Sequence, residues 1–258
     1  MKCLYLLILL LIPGLINAYS NISPYSYCAG DPINFVDPTG NEIEMTKLIW
    51  ADKSIGLNIS QSIIEDLNMQ TGLTLNLDDN NRLRYATNND GSPIIKTVLD
   101  SDGKSSYAGS ETARTLLIES IDNQKVVDVS YSKRSATNDN SIGLNAQQID
   151  KMIEGAVGVD GNTLGYGKTF MHELFHTEVG GSGKDSTENY GTGEVVDNMN
   201  KIRNELNSQG FNYGQRMNYK ALPSSEGIII PFNSSAFKSL QNGVPMSRSD
   251  YYIKIEIK

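Results

Sequence analysis

The chain has two histidines, and both lie in one pentapeptide, HELFH, within "GYGKTFMHELFHTEVGG" (residues 165–181). If Lys168 to Thr177 is helical, His172 and His176 stand at i and i+4 on one face, with Cβ atoms about 5–6 Å apart. Glu173 then projects about 100° around the axis from His172. Phe170, Met171, Leu174 and Phe175 surround the two imidazoles, so the helix is expected to be buried on several sides. Imidazoles in such a setting require polar partners.

Composition narrows what those partners serve. At 258 residues, 39% of them hydrophobic and 20% charged, the chain can build one sizeable domain with an accessory segment. A formal charge of −8 argues against a surface that tracks phosphates, so no nucleic acid partner is expected. The two cysteines, Cys3 and Cys28, do not make a disulfide scaffold. The opening run, MKCLYLLILLLIPGLINA, has one basic residue, an apolar stretch from Leu4 to Ile16 and a small residue at Ala18. It reads as a secretory signal over residues 1–18, with an uncleaved membrane anchor as the alternative. The expected location is therefore secreted, and any membrane contact would run through this segment.

Residues 19–40 are rich in turn formers and read as a strand-and-turn connector. From Lys47 the pattern mixes the two periodicities. Ser62 to Glu65 has the spacing of a capping box and predicts a short helix toward Gln70, while "LTLNLDDNNRLRY" alternates on both sides of Asp79-Asn80 as a hairpin does. Ala113 to Ile121 suits a helix after "GSET", Lys125 to Ser132 a strand, and Ala146 to Ile153 a further helix. "EGIIIPF" and "DYYIKIEIK" read as strands. Interspersed helices and short strands with a hairpin predict an α+β fold.

Zinc explains the paired histidines best. Both imidazoles can reach one ion at about 2.0–2.1 Å. Glu173 beside the open coordination position can take a proton from water whose pKa the metal lowers toward about 7. This is the zincin arrangement, carried by HExxH. A catalytic zinc usually takes three protein ligands and a water. With no third histidine, and with Ser182 where a metzincin has its third, the remaining ligand is a carboxylate. Glu178 faces elsewhere, and Asp185 and Glu188 belong to the loop "GGSGKDSTENYGTG". Beyond it, "GEVVDNMNKIRNEL" predicts a helix with Val195, Met199, Ile202 and Leu206 on one face and Asp197, Asn200 and Asn204 on another. A second helix presenting a carboxylate is the simplest completion, with Glu194 and Asp197 both eligible. Asp197 is favoured because it lies farther inside the helix.

Two resemblances add to this. "PYSYCAGDPINFVDPTG" is similar to the closing motif of the RHS repeat-associated core, after which a variable C-terminal toxin begins. That resemblance implies that the chain beyond Gly40 occupies the toxin position. HELFH, the glycine-rich loop and "VVDNMNKIRNELN...YGQRMNY" resemble the effector-type zinc metallopeptidases found among secreted bacterial effectors and RHS toxins, a group similar in site design to clostridial neurotoxin light chains. The likeness spans about Leu73 to Lys220. It implies a zincin-like metallopeptidase domain over 41–258 that cuts a protein substrate, and a cognate immunity protein. Carried over by motif, His172, His176 and Asp197 are ligands and Glu173 is the base. Arg216 and Tyr219, in the Arg-x-x-Tyr spacing of such light chains, face the oxyanion. Met199 departs from relatives that carry glutamate there.

The strand near Val126 to Tyr131 is expected to be an edge that aligns an extended peptide. Two alternatives stand beside the peptidase. One is a non-catalytic RHS-associated interaction module with a structural zinc or none. The other is a zinc enzyme acting on something other than a peptide.

Overall fold

The computed structural model describes residues 42–99 and 103–255. The expected signal or anchor (1–18) and the connector (19–40) lie outside the described residues. Among the described residues no helix is long and apolar enough to cross a membrane. The fold is α+β, with seven α-helices among the described residues, as the mixed periodicities predict.

The short strand β1 (Ile43–Glu44) leads into α1 (Thr46–Ile55) and α2 (Ile59–Thr71). Helix α2 is longer than expected and starts before Ser62. The group that caps its start is not the Ser62–Glu65 box but the buried Asp52 of α1. Its carboxylate accepts hydrogen bonds from Ile59 N (3.0 Å), Ser60 N (2.9 Å) and Ser60 Oγ (2.7 Å), which satisfies orphan donors at the positive end of α2.

The predicted hairpin follows as β2 (Leu75–Leu77) and β3 (Leu83–Tyr85), paired antiparallel with Leu77 opposite Leu83. A second hairpin, β4 (Thr97–Leu99) and β5 (Ser105–Tyr107), is exposed along its length. Helix α3 (Glu111–Ile121) begins at Ser110, whose hydroxyl accepts from Ala113 N, as an N-cap should.

Strands β6 (Val127–Tyr131), β7 (Ala136–Asn138) and β8 (Ser141–Leu144) join β1 in a mixed sheet of order β1-β6-β8-β7. β6 pairs in parallel with both β1 and β8, and β7 pairs antiparallel with β8. The strand expected at the edge, Val126 to Tyr131, is therefore internal. Its alternating Val127 and Val129 are fully buried, and such residues suit an interior strand as well as a half-buried edge. The outer strand on the far side is β7.

Helix α4 (Ala146–Glu154) and β9 (Ala156–Val157) lead through a 3-10 turn (Gly161–Leu164) into α5 (Tyr166–His176), which carries HELFH. Helix α6 (Glu194–Asn207) follows. The chain ends in an antiparallel sheet of order β10-β11-β12-β9, formed by β10 (Leu222–Ser224), β11 (Gly227–Pro231), β12 (Tyr252–Ile255) and β9, with α7 (Ser234–Asn242) packed on it.

Helix α5 is central. It packs against α2, α6, β7 and β8, and Phe170, Met171 and Leu174 are completely buried in the main core beside Leu67, Val129, Met199 and Leu206. Each such side chain contributes about 1.5–3 kcal/mol of hydrophobic stabilisation. The start of α5 is held by Asp66 of α2, whose carboxylate accepts from Gly167 N at 2.8 Å. The HELFH helix thus has its axial position and rotation set by the core, and its polar groups can be placed with little freedom.

Candidate metal centre

The two histidines of α5 point the same way, as i, i+4 spacing requires. His176 Nδ1 lies 2.8 Å from Gly183 O and can only donate to that carbonyl. This leaves Nε2 with its lone pair directed outward when the ring is neutral. His176 Nε2 and His172 Nε2 are 3.3 Å apart. Asp185 Oδ2 stands 2.9 Å from the former and 3.3 Å from the latter. Ligand atoms around a tetrahedral ion with bonds of about 2.0–2.1 Å are separated by roughly 3.3–3.4 Å, so the triangle is close to the size such an ion needs. Among the described residues His172, His176 and Asp185 form the His, Cys, Asp and Glu group that could hold a metal. Asp185 Oδ1 is buried without a hydrogen-bond partner. Three converging ligand atoms, with the second oxygen of the same carboxylate buried and unpartnered, fit a cation.

Asp185 reaches this position because the chain reverses directly after α5. Thr177 Oγ1 bonds back to Leu174 O at 2.7 Å, Gly180 N bonds to Thr177 Oγ1, and Gly183 N reaches Phe175 O at 2.9 Å. A side chain on Gly180 would place its Cβ 1.9 Å from Leu174 O, so only glycine permits this fold-back. The loop is then closed by an antiparallel bridge between Asp185 and Gly193. Gly193 has φ of 80°, and a Cβ there would lie 2.3 Å from Ser186 N. These backbone approaches aim Asp185 at the imidazoles.

Asp197 and Glu194, the carboxylates favoured from the sequence, do not belong to the cluster. Both are exposed in the first turn of α6. Burial of Val195, Met199, Ile202 and Leu206 fixes the rotation of α6, and this rotation turns Asp197 to solvent. Met199 is a core residue. The sequence signal for Asp185 is the density of glycine around it, since Gly180, Gly183 and Gly193 permit a loop tight enough to return a carboxylate within nine residues of His176.

Glu173 is buried, 7% exposed, and its carboxylate Oε2 lies 2.8 Å from Thr137 Oγ1 of β7. Thr137 Oγ1 is also 2.8 Å from Glu173 O, so one hydroxyl proton serves the two oxygens. Tyr219 stacks on the His172 ring, with centroids 6.2 Å apart and planes 8° from parallel. The Arg216 guanidinium lies 5.2 Å from the Tyr219 ring centre. Its Nε donates to Asn218 O at 3.1 Å and its Nη2 to Tyr219 O. The structure thus brings Tyr219 and Arg216 to the His172 side of the cluster, although two guanidinium donors are used on their own segment.

The electrostatics are consistent with this grouping. Burial alone would raise the Asp185 carboxyl, but the two imidazoles outweigh it and hold it well below the usual carboxylate range. Burial lowers His172 against the opposing pull of Asp185, whereas the hydrogen bond to Asp185 raises His176. Burial, followed by the charge of Asp185, raises Tyr219, which keeps its phenol protonated and able to donate. No family model matches the chain, nor does any curated protein or solved structure compared with it.

Proposed function

We propose that the domain is a zincin-like zinc metalloendopeptidase, with His172, His176 and Asp185 as protein ligands and Glu173 as general base. The observation that carries this reading is the placement of Asp185 Oδ2 within 2.9 and 3.3 Å of the two Nε2 atoms, beside a helix that also presents Glu173. Among the described residues no fourth His, Cys, Asp or Glu joins the group. Three protein ligands suit a catalytic ion, whereas a structural zinc takes four. Zinc would supply Lewis acidity and lower the pKa of water in its open position.

The chain's own groups do the rest. Glu173, steadied by Thr137, takes a proton from the attacking water and returns it to the leaving amine. The Tyr219 phenol donates to the developing oxyanion, with the positive field of Arg216 behind it. An extended peptide is aligned by pairing with the outer strand β7, which bears Thr137. This replaces β6, whose two edges are occupied. Following the RHS resemblance, we assign the activity to a secreted toxin that cuts a protein and is restrained by an immunity protein.

The test is metal analysis with cleavage of an unfolded protein substrate by the wild type and Glu173→Gln. We expect one zinc per chain in both, with cleavage reduced by about 10²–10⁴-fold in the variant. A metal-free wild type, or a variant that cuts equally well, overturns the assignment.

A further inference from the structure

Helix α6 contributes no ligand to the cluster, yet one of its polar side chains is bonded into the segment that carries Arg216 and Tyr219. Asn200 Oδ1 accepts from Arg216 N at 2.8 Å, and Asn200 Nδ2 donates to Arg216 O at 2.9 Å. The side-chain amide therefore clasps both polar groups of one residue's main chain, as a neighbouring β-strand would. The orientation of that amide is fixed from behind. Arg203, one turn further along α6 and completely buried, donates from Nη1 to Asn200 Oδ1 at 3.0 Å and from Nη2 to Thr163 O at 3.3 Å. An arginine offers donors only, so Oδ1 must face it and Nδ2 must face Arg216 O.

The clasp reaches the cluster through the chain beyond it. Downstream of Arg216, Asn218 is fully buried and accepts from Gly191 N at 2.6 Å, while Tyr219 N donates to Gly191 O at 2.8 Å. Gly191 belongs to the loop closed by Asp185 and Gly193. The Tyr219 ring stacks on His172. A shift of the main chain at Arg216 would therefore be delivered to the phenol and the guanidinium.

We propose that Asn200 is a positioning residue for the oxyanion-facing pair: it sets where Arg216 and Tyr219 stand relative to His172, His176 and Asp185 without touching metal or substrate. This rests on the metallopeptidase reading. Residues 211–218 have no regular secondary structure, and this clasp is the anchor that holds the main chain of Arg216, while Met217 N bonds to Pro231 O at 2.9 Å and Asn218 and Tyr219 are tied to Gly191.

The test uses the full chain loaded with Co2+, and acetohydroxamate as the probe, because its oxyanion binds at a metal and its affinity can be followed by visible absorption. We expect Asn200→Ala to weaken acetohydroxamate and to lower kcat, each by about tenfold. KM and Co2+ affinity should stay within about twofold of the wild type. Asn200→Asp, which keeps the acceptor for Arg203 and Arg216 N but cannot donate to Arg216 O, should show the same pattern more weakly. In a Tyr219→Phe background, adding Asn200→Ala should weaken acetohydroxamate by clearly less than the roughly tenfold expected in the wild type, because only the part of its effect that runs through Arg216 remains.

Full additivity in that double variant overturns the proposal, as does a loss of Co2+ affinity and stability with no change in acetohydroxamate binding. If the wild type binds Co2+ and acetohydroxamate yet cuts no peptide, the peptidase reading fails while the binding arm still decides on Asn200. A wild type that takes up no Co2+ overturns both.

Discussion

The two ends of α5 bury titratable groups with opposite excesses. At the C-terminal end His172, His176 and Asp185 turn acceptor atoms toward one another, with Asp185 Oδ1 buried and unpartnered. At the other end Lys168, one turn before His172, is 1% exposed, and its Nζ has no hydrogen-bond partner. That Nζ lies 3.4 Å from the centre of the Tyr213 ring. Burial, helped by the nearby Arg203 charge and only partly opposed by Asp66 and Asp160, pushes Lys168 down to about 7. One end has lone pairs to satisfy and the other a proton to lose. On the proposed reading a cation answers the first and deprotonation the second, so similar burial suits a metal at one end and puts a pH-dependent strain on stability at the other.

Removing the converging carboxylate breaks the comparison most strongly. Asp185→Ala should lower zinc affinity by more than the roughly 10–100-fold that loss of an outer partner of a ligand costs. Asp197→Ala and Glu194→Ala should leave it unchanged. Competition with a chromophoric chelator measures all three. A loss confined to Asp197→Ala would return the third ligand to α6.

The opposite end is tested by stability against pH. An unfolded lysine titrates near 10.4, so between about pH 7 and that value the unfolded chain binds a proton that the folded chain does not. Stability therefore rises with pH across this window, with a limiting slope of about 1.4 kcal/mol per pH unit, and the contribution is flat below it. Lys168→Met should stabilise the protein at pH 7 by roughly 1–3 kcal/mol and remove most of that slope. Urea midpoints from pH 6 to 9.5 would show it, and an unchanged slope in the variant would place the titration elsewhere.

Between the two ends, Thr137→Val keeps the side-chain shape but removes the hydroxyl that serves Glu173. One lost hydrogen bond is worth about 1 kcal/mol. We expect kcat to fall by roughly fivefold, with zinc content unchanged and stability lowered by about 1 kcal/mol. A loss of zinc here would mean that β7 supports the cluster as well as the base.

Much of the fold is legible in the sequence because the signals are local. The hairpin around Asp79-Asn80, the Ser110 cap and the apolar stripe of α6 each follow from a few neighbouring residues, and each is found in the structure. The start of α2 is not legible in this way, since its capping carboxylate, Asp52, comes from the preceding helix. The interior placement of β6 is hidden for a related reason. Alternating valines describe which face of a strand is buried but not whether its edges are paired.

At the site the division is sharper. HELFH alone placed two imidazoles and a carboxylate on one helix, because the 3.6-residue turn gives the spacing directly. The third carboxylate required knowing how far a chain can double back. Glycine at Gly180 and Gly193 lets backbone approach backbone and swings Asp185 onto the histidines, while the packing of Val195, Met199, Ile202 and Leu206 rotates Asp197 into water. Helical periodicity is a property of neighbouring residues, so the sequence determined it. Which loop carboxylate meets that helix depends on contacts between distant segments, and only the tertiary structure decided it.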